Sequence, residues 1–190
     1  MAAPAPSDLA PETADALLGG DVLSLASYNV ENLDPNDDDG DADIANGKFA
    51  AIARQIAGRL KGPDIVALQE VQDNTGSARG DGVTSADATL SRLADAIVAA
   101  GGPRYAFTEI APVAGSNGGQ PGGNIRVAYL YNPARVALAD VGAKGDATTA
   151  VDVAANEAGA LTLSANPGRI QPLDSAFANS RKPLAALFVF

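Results

Sequence analysis

Histidine, cysteine and tryptophan are all absent from the 190 residues, and methionine occurs once. Without cysteine there is no disulfide framework, and without cysteine or histidine there is no zinc site of the usual ligand types. The lack of histidine also removes the commonest general acid/base and every Ser-His-Asp or Cys-His mechanism. Catalysis by these residues alone is left to carboxylates, amides, arginines or tyrosines. No run approaches the roughly 18 apolar residues of a membrane span, so no span is expected. The first twenty residues, MAAPAPSDLAPETADALLGG, carry no basic n-region and no apolar stretch of signal-peptide length. Their Pro/Ala/acid content reads as a disordered linker.

Bases are scarce in one half only. Residues 1–95 hold 17 acids against 6 bases, and residues 96–190 hold 6 against 7, giving the overall charge of −10. The acidity is therefore an N-terminal property. It argues against broad, sequence-independent attraction to nucleic acid or anionic lipid, which depends on many Lys/Arg contacts replacing counterions. Local binding of a phosphate assisted by a divalent cation stays open.

What is present is enough for a core, since a chain of this size buries roughly 70% of its unfolded surface. VLSLASYNV at 22–30 alternates and is closed by Asn32, Asp34 and Pro35, the pattern of a strand. A helix follows with Phe49, Ile52, Ala53, Ile56 and Leu60 on one face, stopped by Gly62 and Pro63. IVALQ at 65–69 is the short continuous apolar run of a strand buried on both faces. Leu90, Leu93, Ala94, Ile97 and Val98 predict a second helix ending at Gly101, Gly102 and Pro103. Strands are expected at 105–110 and 124–131, the second pairing with Val136–Ala139. Residues 140–180 read as turns, and the closing LAALFVF as one buried apolar strand. The fold class is α/β.

Several residues carry chemistry in this pattern, each with two readings. Glu70 follows a buried strand, where ligand sites of open α/β arrangements gather, and one carboxylate can hold Mg²⁺ together with waters and substrate phosphate. Its other reading is a solvated carboxylate just past a strand. Asn29 ends the first strand and either orients a phosphate oxygen or serves as a turn residue. Glu31 is a second metal carboxylate or a solvated loop acid. Arg126, like Arg169 and Arg181, either contacts phosphate or sits in a surface salt bridge. The run DPNDDDGDAD at 34–43 invites a calcium reading, but with Gly40 at the sixth position Pro35 falls at the first and Asn46 at the twelfth, so both the leading Asp and the closing Glu of an EF-hand are missing. A solvated loop is the favoured expectation there. The glycines of 115–123 form no phosphate loop, because no Gly-Lys-Ser/Thr follows and the next element is a strand.

Three segments, SYNVENL at 27–33, PDIVALQEV at 63–71 and NIRVAYLYNPARV at 124–136, with SRKPLAALFVF at 180–190, resemble the endonuclease/exonuclease/phosphatase superfamily in its deoxyribonuclease I-like branch, nearest to bacterial extracellular nucleases. The resemblance implies an α/β sandwich of two facing β-sheets with outer helices, a four-layer fold of which 21–190 is the N-terminal part. It implies phosphodiester hydrolysis with Mg²⁺ (or Mn²⁺, with Ca²⁺ as a further candidate), a nucleic-acid substrate, secretion, a site asparagine at Asn29 and a metal carboxylate at Glu70. The family's later histidine, Asp-x-Asn and Asp-His motifs are not found here, so the chain is expected to be an inactive fragment of low stability. Two alternatives stand beside this reading: a phospholipid or inositol-phosphate phosphodiesterase of the same superfamily, and a non-catalytic binding module. The oligomeric state is left open.

Overall fold

The computed structural model describes residues 10, 12–14 and 20–190. The expectation of a linker over 1–20 therefore falls largely outside the described residues. Strand β1 (Leu25–Leu33) leads through α1 (Lys48–Arg54) and a π-helical turn at Gln55–Arg59 into β2 (Ile65–Val71). Helix α2 (Asp87–Ala99), β3 (Ala106–Glu109) and β4 (Arg126–Tyr131) follow. These four strands make one mixed sheet in the order β1-β2-β4-β3, with β1 and β2 parallel and the other neighbours antiparallel. The protein is thus a mixed α/β fold. No helix among the described residues is long and apolar enough to cross a membrane.

The core explains why the two helices lie where they do. Phe49, Ile52, Ala53 and Ile56 from the first helical segment and Leu90, Leu93, Ala94 and Ile97 from α2 are all buried in one cluster with Val30, Val66, Leu68, Ala128 and Leu130 of the sheet. Residues three and four apart on each helix share a face, and alternate residues of each strand share a side, so one layer of helices covers one side of the sheet. Gly62 ends the helical segment at φ +61, where an added Cβ would lie 2.8 Å from the Pro103 ring. A glycine is needed both for that backbone conformation and for that close approach.

The second half departs from the pattern read in the sequence. The 136–139 segment was expected to pair with β4, but β5 (Ala137–Leu138) pairs instead with β10 (Phe188–Val189). Between them, 140–180 contains more than turns: β6 (Val153–Ala155) and β7 (Leu161–Leu163) form a hairpin, and β8 (Gly168–Arg169) pairs with β9 (Leu184–Ala185). The closing apolar run is thus two short strands. Its break has a visible cause. The Asn166 carboxamide accepts from the Leu187 N–H at 2.9 Å and donates to the Leu187 and Ala139 carbonyls at 2.9 and 2.8 Å, inserting side-chain bonds beside the Ala139 N–H bond to the Leu187 carbonyl, between the end of β9 and the start of β10. Full burial of this run was expected, yet Val189 is 59% and Phe190 51% exposed. Phe188 packs edge-on against Tyr129 and tilted against Tyr131, and Tyr129 donates to the Leu184 carbonyl, so the end of the chain covers the β4 part of the sheet's second side. The β1 part stays open, with Leu25 65% exposed.

Candidate functional site at the bulged strand ends

Asn29 and Glu70 lie at the C-terminal ends of adjacent parallel strands. The register runs Leu25↔Ile65 to Asn29↔Gln69, then breaks and resumes at Leu33↔Val71. Four residue steps on β1 are matched by two on β2, which leaves Glu31 and Asn32 as extra residues, at φ +55 and +57. On its other edge β2 also bulges: three steps from Leu68 to Val71 face two on β4, from Ala128 to Arg126, and Glu70 stands at φ +63. Leu68 and Val71 both belong to the core, so the inserted residue leaves Gln69 and Glu70 as consecutive half-buried positions between them. Left-handed backbone at glutamate is uncommon and costs on the order of 1–2 kcal/mol. The two bulges thus turn Glu31 and Glu70 out of the alternating pattern at the same end of the sheet.

Side-chain contacts fix the rest of this end. Asn29 Oδ1 accepts the Glu31 N–H at 2.8 Å, so the turn reading of this asparagine is realised while its amide group is left to donate. Lys48 Nζ donates to the Glu31 carbonyl at 2.6 Å and pairs with Asp43 at 2.9 Å. Ser27 donates to Gln69 across the parallel pair at 3.3 Å. Glu70 stands 3.5 Å from the guanidinium of Arg181, which is its ion-pair partner among the described residues. The site lies at the carboxyl ends of the two parallel strands, and two of the larger hollows, about 580 and 670 Å³, lie against the helices and include neither Asn29 nor Glu70.

Arg126 lies elsewhere. It is 1% exposed, its Nη1 3.0 Å from Glu109 and its Nη2 donating to the Asn124 carbonyl. Neither a surface salt bridge nor a guanidinium open to phosphate describes it: this arginine is enclosed by the β3–β4 hairpin, and burial lowers its pKa against the pull of Glu109. Arg169 is likewise buried, donating to the Ile110 carbonyl at 2.7 Å. Of the three arginines weighed from the sequence, Arg181 is the one beside Glu70.

The acidic loop after β1 also differs from the solvated run expected. Asp34 and Asp43 are buried, and Asp37 turns inward to accept the Ile44 and Ala45 N–H groups at 2.8 and 3.0 Å. Burial, with repulsion from Asp39, Asp41 and Asp43, pushes the Asp34 carboxyl up to about 7 against the lowering effect of the Asn36 N–H. Burial also raises Asp41, with Asp43 and Asp39 adding to it. Sequence reading missed this feature because burial of a loop acid depends on what packs over it. The cover is the 73–77 segment: Asn36 donates to the Thr75 carbonyl at 2.8 Å and Ser77 to the Asp39 carbonyl at 2.6 Å.

Compared with known proteins, the chain matches no family model and no curated protein.

Proposed function

We propose that this chain is the N-terminal part of a Mg²⁺-dependent phosphodiester hydrolase acting on nucleic acid, resembling the deoxyribonuclease I-like branch of the endonuclease/exonuclease/phosphatase superfamily. On this reading its mixed sheet is one layer of a two-sheet sandwich with the helices outside. The observation that carries the proposal is the placement of Asn29 and Glu70 at the same end of two adjacent parallel strands, each beside a bulge. Ligand sites in α/β sheets gather at the carboxyl ends of strands, and bulges there re-aim side chains.

The donor set fits the metal. Glu70 offers a partly exposed carboxylate whose contact among the described residues is a 3.5 Å ion pair, and Mg²⁺ takes one or two carboxylates and keeps its remaining positions for water and phosphate oxygens. Glu31, exposed on the neighbouring bulge, is the second carboxylate this reading assigns to the metal. Bound there, Mg²⁺ (or Mn²⁺) would supply Lewis-acid polarisation of a phosphoryl oxygen. The chain's own groups act around it: Asn29 donates through its free amide to a phosphate oxygen, and Arg181 draws the phosphate toward Glu70. These residues bind and orient, and with no histidine in the sequence proton transfer falls to a carboxylate or to a base supplied from outside them.

Fluorescence anisotropy of a labelled DNA duplex tests this reading. DNA binding in Mg²⁺ is expected to weaken at least tenfold in EDTA and in Glu70→Gln. Mn²⁺ is expected to broaden the amide resonances near Asn29 and Glu70 in the wild type and to leave them sharp in Glu70→Gln. Metal-independent binding, or unchanged broadening in the variant, would refute the assignment.

A further inference from the structure

One carboxylate oxygen from each of Asp34, Asp41 and Asp43 lies within 4.8 Å of the other two. Two oxygens bound to one ion at about 2.4 Å, the calcium distance, stand at most about 4.8 Å apart, a condition that each pair of these three meets. Acid clusters are common on loops, and the spacing alone says little. The shielding sets this one apart. Asp34 is wholly buried; its Oδ1 accepts the Asn36 N–H, while its Oδ2 is sealed from solvent with no hydrogen-bond partner. Asp41 Oδ1 is sealed and unpartnered in the same way. Buried carboxylate oxygens left unpaired are costly, and folded proteins satisfy them with donors or cations.

Asp43 is compensated, accepting the Asp34 N–H at 3.2 Å, and the Lys48 charge also favours ionised Asp41, but among the described residues no donor reaches the two sealed oxygens. Lys48 spends its charge on Asp43 and the Glu31 carbonyl. The backbone N–H groups of Ile44 and Ala45 go to Asp37. The covering segment presses bare backbone on the cluster: a Cβ at Gly76 would lie 2.1 Å from Asp39 Oδ2 and 2.5 Å from Asp34 Oδ1. We propose that the loop of residues 34–43 binds one calcium ion through Asp34, Asp41 and Asp43, pinning the exit of β1 against the 73–77 segment. Calcium suits the donors better than its competitors. It accepts irregular all-oxygen shells of six to eight ligands, Mg²⁺ demands a near-ideal octahedron with several waters, and zinc sites favour the histidine and cysteine that are absent. This site is separate from Glu70 and does not depend on the proposed nuclease function.

Isothermal titration of the EGTA-stripped 190-residue chain with CaCl₂ and with MgCl₂ tests the proposal, alongside thermal melts by circular dichroism. One calcium per chain is expected, with a rise in melting temperature, and in Glu70→Gln, which lacks the proposed Mg²⁺ carboxylate, at least tenfold weaker binding of Mg²⁺ than of calcium. Asp34→Asn and Asp41→Asn keep the side-chain shape and remove one charge each. Both are expected to fold in EGTA and to lose at least tenfold in calcium affinity, and should one fail to fold, the other carries the test. Glu70→Gln is expected to bind calcium as the wild type does. No calcium binding at millimolar concentration, wild-type affinity in the aspartate variants, Mg²⁺ binding as tight as calcium in Glu70→Gln, or loss of calcium binding in Glu70→Gln would each overturn it.

Discussion

At the end of the sheet where β1 and β2 begin, every polar group of buried Asp64 is used. Its Oδ2 accepts the Ser24 N–H and hydroxyl at 2.8 and 2.9 Å, its Oδ1 accepts Arg135 Nε at 2.7 Å, its N–H donates to the Ser24 hydroxyl, and its carbonyl accepts the Asn132 N–H. The opposite end, where the same strands finish, carries three left-handed non-glycine residues, two register breaks and two sealed carboxylate oxygens without partners. One sheet therefore has a satisfied end and an unsatisfied one. A fold gains stability by completing its hydrogen bonds, whereas strain and unspent bonding capacity gather where a ligand is to be met. The contrast supports the proposed placement of the site at the exits of β1 and β2 by an argument that uses no motif.

The largest break in this contrast is expected at the satisfied end. Asp64→Ala removes the acceptor of the Ser24 N–H and hydroxyl and of Arg135 Nε and should lower stability by about 3 kcal/mol in urea unfolding. Acid probes the same lock. Burial would raise the Asp64 carboxyl, but the Arg135 and Ser24 hydrogen bonds outweigh it and hold it below the ordinary carboxylate value. A lowered carboxyl stabilises the fold above about pH 4, and that contribution disappears as the pH falls through the folded-state value. Stability measured from pH 4 downward should therefore fall more steeply in the wild type than in Asp64→Asn. At the other end the signs reverse. In EGTA and above about pH 7, where the Asp34 carboxyl is charged, Asp34→Asn should raise stability by about 1 kcal/mol by removing a buried charge whose Oδ2 lacks a hydrogen-bond partner. Glu70→Gly, which relieves a left-handed glutamate, should leave stability unchanged or raise it by up to about 1 kcal/mol while abolishing Mn²⁺ broadening. A marked destabilisation from Glu70→Gly would mean that Glu70 serves the fold.

Local patterning made the first half legible. The Phe49–Ile56 and Leu90–Ile97 stripes mark the helical faces that the structure buries, and the apolar run from Ile65 marks β2. Its glycine and proline stops stand where α2 and the π-helical turn end. Legibility fails where partners come from far along the chain. Asn166 divides the closing strand from 21 residues away, and Glu109 captures Arg126 from across a hairpin. Glu31 and Glu70 carry no residue-level sign of positive φ, because glycine or asparagine would be the expected occupant. Asn29 was open between a turn role and a site role, and its bond to the Glu31 N–H shows how one carboxamide can do the first and still keep its amide for the second.

The sequence by itself determined the chemical vocabulary: no histidine, cysteine or tryptophan, acids concentrated in the first half, and the periodicities that make two helices cover a sheet. Only the tertiary structure decided how those groups are spent. It chose which of the loop's acids are sealed, which arginine is enclosed and which stands beside Glu70, and where the strands bulge. The reason is physical. Periodicity is a property of residues three or four apart, whereas the cost of a charge depends on its solvent and its partners, and here both are supplied by segments about forty residues distant, as when Thr75 and Ser77 close over the Asp34 loop.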